Sequence, residues 1–275
     1  MFNDSSPQGW YKNLPPITRS ILTITFFSTL LITFGMLNPW YIIFDWEYIF
    51  RKAQIWRFIT SFFFVGPFSL GWVMSQWMFT SFSSKLEKSG SVGSTSGSYL
   101  YFILILMTAI NVIGTAFEYP TGRRIGGSSL IFSIIYYWSK KFPTSPVSIW
   151  GFTLQAYQLP YALLFLDVLT GNSLIDDLIG LLAGHSYYYL RDIIFENSTN
   201  NFLTRTPKQV DSFVDYSSFL IKKYIYDFSA LNGHPNVINY PNPNANRSES
   251  FFNPLTGNSS QPRAFSGRGF RLGSD

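Results

Sequence analysis

The sequence predicts an all-α protein that crosses a membrane several times, and three observations carry that prediction. Only 13% of the 275 residues are charged, against roughly 25% in soluble domains. Phe, Tyr and Trp make up 19%. The charges are also gathered: long stretches before Phe195 are almost empty of them, with short basic clusters at their ends. Clusters so placed read as topology signals, and the net charge of +5 does not point to nucleic acid. The absence of cysteine excludes a disulfide framework and thiolate chemistry.

A helix needs about 20 apolar residues to cross a ~30 Å hydrocarbon core. Residues 1–19 are polar, hold Pro7, Pro15 and Pro16, and form an N-terminal segment. The first apolar run, Ser20–Leu37, is uncharged and lacks a small-residue cleavage site after it, so it is read as a retained span. Phe58–Phe82 follows, interrupted by Gly66-Pro67 and Gly71, then Tyr99–Phe117, clean except for Asn111. Ile125–Trp138 and Leu154–Leu169 are short, the latter opening on Gln155, Gln158 and Pro160, and each is open to a re-entrant reading as well as a crossing one. Ser173–Phe195 is long enough and contains Asp176, Asp177 and His185. Together these make a six-span domain over residues 20–195. Residues 196–231 are juxtamembrane, and the apolar spacing in Pro207–Phe228 suggests a helix lying on the membrane surface. Residues 232–275 form a tail rich in Asn, Pro and Ser, a composition that predicts disorder.

Lys12, Arg19, Lys85, Lys88, Lys140, Lys141, Arg191, Arg205 and Lys208 fall on one side of six crossings. Arg51, Lys52, Arg57, Arg123 and Arg124 fall on the other. The first set is larger, which places both termini in the cytosol. Asn38–Arg57, too polar to cross and rich in Trp and Tyr, belongs at headgroup level on the opposite face. Asn111, Gln155, Gln158, Asp167, Asp176, Asp177 and His185 are costly in lipid, so they call for span ends or a water-accessible cavity.

Three motifs stand out. Trp56-Arg57 closes the interfacial segment; an arginine at that boundary can snorkel to the headgroups. Gly180 and Gly184, four apart in the sixth span, let a second backbone approach. Gly126-Gly-Ser128-Ser129 invites a serine-nucleophile reading, but a serine needs a base, and His185 is the histidine available within the spans. The alternative of small packing residues stands beside it.

An interfacial loop ending in Trp-Arg, followed by spans with GxxxG in the last, resembles the rhomboid superfamily. Within it the stretches Leu14–Arg19, Phe50–Arg57, Ile179–His185 and Asn201–Pro207 resemble the derlins, its inactive branch. The resemblance implies a six-span rhomboid-like bundle. Rhomboid proteases carry the catalytic histidine three residues before the first glycine of the GxxxG. Here that position is Asp177. His185 lies eight residues on, ~12 Å along a helix and rotated by ~80°, so no Ser–His dyad, catalytic residue, cofactor or metal is expected.

The tail ends in Phe265-x-Gly267-x-Gly269-Phe270-x-Leu272-Gly273, which resembles the SHP box by which derlins hold valosin-containing protein, a hexameric AAA ATPase. Phe265, Phe270 and Leu272 suit apolar pockets, and the glycines allow close approach. The resemblance further implies an oligomer in the endoplasmic reticulum membrane that works with misfolded clients and a ubiquitin ligase complex. Two other readings are an intramembrane serine protease using Ser128 and a small-solute transporter; no internal repeat supports the latter.

Overall fold

The computed structural model describes residues 7–117, 124–149, 151–170, 173–195, 203 and 205–231. By its contacts the chain divides into Met1–Lys223, which holds the bundle, and Tyr224–Asp275, of which residues 224–231 are helical.

After a short helix α1 (Pro7–Lys12), α2 runs Pro16–Thr33. Proline in the first turn costs α2 no hydrogen bond. The orphan N–H groups of Ile17 and Thr18 donate to the Glu87 carboxylate at 3.0 and 2.9 Å, joined by the Thr18 hydroxyl at 2.8 Å. The interfacial segment folds as a 3₁₀ turn (Pro39–Tyr41) and α3 (Trp46–Arg51), capped by the Asp45 carboxylate.

The second apolar run is not one helix. α4 (Arg57–Thr60) and a 3₁₀ turn (Ser61–Phe63) end before Gly66, whose φ of +143° is open only to glycine. α5 begins at Leu70 and runs to Ser89, with the Ser69 hydroxyl accepting from Trp72 N–H. Phe62 and Phe64 are buried in the bundle, so the long helix expected from Phe58 begins only at Leu70.

α6 (Ser96–Phe117) and α7 (Gly127–Lys141) follow. The expected fifth span also starts late. Leu154 and Gln155 end a hairpin of β1 (Pro146–Ile149) and β2 (Phe152–Gln155), antiparallel with Val147 opposite Leu154, and a 3₁₀ turn (Ala156–Gln158) follows. Gln155 and Gln158 therefore cap a turn at the bundle's end, where Gln155 N–H meets Gln158 Oε1 at 3.1 Å. α8 (Leu159–Thr170) and α9 (Leu174–Tyr188) complete the bundle, and a π-helical turn (Tyr189–Ile194) extends α9. α10 (Lys208–Leu231) docks its start on α6: Asp211 accepts from the Thr95 hydroxyl at 2.7 Å and Val214 is buried.

α7 is the centre, with nearly every residue buried and α5 and α9 packed against it. The interior mixes apolar side chains with small polar ones. Thr18, Thr25, Thr29, Ser83, Ser129 and Ser133 are buried, while Phe26, Phe27, Val112, Phe165 and Leu182 are exposed. Small hydroxyl residues inside and large apolar ones outside suit helices packed in lipid. Among the described residues, α2 and α6 are each long and apolar enough to cross a bilayer.

Candidate functional site

The site grows from the contact of α7 with α9. Gly180 and Gly184 lie against α7: a Cβ on Gly180 would meet the Ser129 carbonyl oxygen, and one on Gly184 would lie 2.8 Å from that of Ser133. Gly127 meets the Phe64 carbonyl in the same way, at 2.6 Å. These three glycines bring α9 and the segment at Phe64 and Val65 hard against α7.

A polar chain fixes the register. Arg124, 4% exposed, donates to the Ile110 carbonyl at 3.2 Å and to the Ser129 hydroxyl at 3.1 Å. The Ser129 hydroxyl in turn donates to the Asp176 carbonyl at 2.7 Å. The backbone of Arg124 also pairs with Phe44. Arg124 is thus a strut through the end of the bundle, where the sequence pattern had it as a loop charge. Asn111 ties α6 to α4 through the Phe58 carbonyl at 3.0 Å.

Beside this joint, the 65–69 segment, α5, α7, α8 and α9 line a half-open cavity of about 580 Å³. Ser128, Asp167, Asp176 and Asp177 line it, together with Met74 and Leu163. The carboxyl groups of Asp167 on α8 and Asp177 on α9 hydrogen-bond to each other. Charged and polar side chains thus face a common space inside the apolar shell, as their cost in lipid demands. Among the described residues no histidine lines it, and no group of three His, Asp or Glu side chains is placed to hold a metal ion. His185 is exposed two turns away, its Nδ1 2.8 Å from the Tyr136 hydroxyl and its ring stacked on Tyr189.

Arg57 does not snorkel. It is 3% exposed and donates to the carbonyls of Trp40 (2.5 Å) and Ile43 (2.8 Å) and to Gln54 Oε1 (2.6 Å), beneath the Tyr48 ring. It gathers the interfacial segment around itself and leaves Trp40, Tyr41, Phe50 and Trp56 exposed as an aromatic rim. The tail motif, Phe265, Gly267, Gly269, Phe270, Leu272 and Gly273, lies outside the described residues. Arg124 and the meeting of Asp167 with Asp177 were missed by the sequence reading; a charge flanked by apolar spans is the signal that could have marked them.

A buried GxxxG joint, an arginine-gathered interfacial loop and a polar cavity between short helices define a polytopic rhomboid-like membrane bundle. The Der1-like family matches residues 14–208. The chain is 35% identical to Derlin-1 of Arabidopsis thaliana over 76% of its own length and 78% of that protein. It is 32% identical to Derlin-1.2 of Zea mays, covering 76% and 85%, and 31% identical to Derlin-2.2 of Arabidopsis thaliana, covering 73% and 84%. The chain belongs to the Der1-like family, the derlins.

Proposed function

We propose that this derlin serves endoplasmic-reticulum-associated degradation, helping misfolded proteins return to the cytosol without cleaving them. The observation that supports it best is the cavity. Its wall carries Ser128, yet Asp177 stands where a rhomboid protease needs its histidine, and His185 is engaged with Tyr136. A serine without a base is a poor nucleophile, so the site receives a polar segment and performs no covalent chemistry on it.

In this reading the protein resides in the endoplasmic reticulum membrane with both termini cytosolic. The rim at 38–57 faces the lumen and meets the client. α7 and α8, at 15 and 12 residues, reach only ~22 and ~18 Å. The bilayer beside them thins to match, which lowers the barrier to polar chain. A ubiquitin ligase complex marks the client, and a valosin-containing-protein-type AAA ATPase held by Phe265–Gly273 pulls it.

The motor link is tested by affinity capture from solubilised membranes. Full-length chain is expected to retain the ATPase, and deletion of residues 265–275 to reduce it at least tenfold, since short motifs bind through a few anchors. Phe265→Ala with Phe270→Ala is expected to match the deletion. Equal capture by all three proteins would refute the tail as the motor's site.

A further inference from the structure

A second site lies across α5 from the cavity, with Trp72 bordering both. α1, α2 and α5 bound an apolar cleft of about 480 Å³ lined by Trp10, Leu22, Phe26, Trp72, Val73 and Trp77. It adjoins a recess of about 370 Å³ lined by Asn13, Ser81, Ser84, Lys85, Lys88 and Ser148. Trp10, Trp77 and Thr80 border both. The two are therefore one groove, apolar at one end and mixed at the other, where Leu14, Phe82 and Val147 stand beside the two lysines.

Lys85 and Lys88 are exposed and three apart, hence on one helix face. Neither forms an ion pair among the described residues. The neighbouring carboxylate, Glu87, is turned away into the start of α2. Lys85 Nζ sits over the Trp138 and Phe82 rings at 5.0 and 5.2 Å, which holds its charge at the recess. From Val73 to Lys85 the helix rises ~18 Å, close to half of a ~30 Å hydrocarbon core. Trp10 borders both recesses, and indoles favour the headgroup level of a bilayer. Depth, polarity gradient and charge all match one leaflet's worth of lipid.

We propose that this groove holds one anionic phospholipid, an acyl chain in the cleft and the phosphate between Lys85 and Lys88. The inference is independent of the client cavity and of the tail.

The test titrates the full-length, delipidated protein in mild detergent with phosphatidylserine or phosphatidylcholine and counts bound lipid by native mass spectrometry. Wild type is expected to retain one phosphatidylserine at concentrations where phosphatidylcholine is lost. Lys85→Ala with Lys88→Ala is expected to weaken retention about 30-fold, the effect of two basic residues at an anionic surface. Lys85→Arg with Lys88→Arg is expected to restore it, and Val73→Trp to block it. The substituted side chains are exposed, so unfolding midpoints without lipid should match wild type. Equal retention of the two lipids would overturn the proposal. So would displacement by soluble glycerophosphoserine, which would mark a phosphate site without an acyl chain. A dimer dissolved by Val73→Trp would do the same, since a second copy would then fill the groove.

Discussion

Gly180→Val is expected to unfold the membrane domain more readily than any conservative change elsewhere in α9. The first added carbon falls on the Ser129 carbonyl oxygen, and backbone cannot swing aside as a side chain can. Ser129 is itself held by Arg124 and by the Asp176 carbonyl, so moving α7 breaks the polar chain as well. Overpacking alone costs about 1–3 kcal/mol, and losing a hydrogen bond to a buried charged group adds about 1.5–3. The two together come to about 2.5–6 kcal/mol, and about 3 kcal/mol is already a population shift of roughly 150-fold. Leu182→Val, on the exposed face of the same helix, should change stability by less than about 0.5 kcal/mol. Denaturant unfolding in detergent reads both, and equal midpoints would contradict the close contact of α7 and α9.

Arg57→Ala acts on the rim. Removing the guanidinium strands the Trp40 and Ile43 carbonyls and the Gln54 amide oxygen, all now satisfied by one side chain. Leaving buried acceptors unpaired costs about 1–3 kcal/mol each, though water recovers part of it at a bundle end. The expected result is local opening of residues 38–57, with the six-helix core intact. Amide exchange at Phe44, whose N–H bonds the Arg124 carbonyl at 3.1 Å, should accelerate about 100-fold. Arg57→Lys should recover little, because an ammonium cannot reproduce the planar fork. Unchanged exchange at Phe44 would mean that the segment is held by its aromatic contacts instead.

The parts of this molecule that were legible in the sequence are those set by composition. α6 announces itself by a run of apolar residues, and the expected start at Tyr99 differs from Ser96 by little. The GxxxG of α9 was legible because glycine spacing states its own purpose. What escaped depends on tertiary context. Gly66-Pro67 was visible as an interruption, but only the packing of Phe62 and Phe64 shows that the chain before it stays at the bundle's end. The hairpin at Pro146–Gln155 has strands of four residues, too short for alternation to register, and it took the start of the expected fifth span. Arg124 was counted as a topology charge because a sequence does not show which loop residues turn inward. From sequence the cavity is only one of two places that the polar residues within the spans call for, the other being the span ends. That Ser128, Asp167 and Asp177 share it required four helices to be placed.

The central proposal is that the membrane domain is a passage without catalysis and that an ATPase held by the tail supplies the force. Its most direct test is client release from proteoliposomes holding the purified chain and a misfolded membrane substrate, with the AAA ATPase and ATP outside. The account predicts intact, ATP-dependent release that survives Ser128→Ala and is lost on deletion of residues 265–275. Client cleaved without ATP, and left uncut by Ser128→Ala, would contradict it.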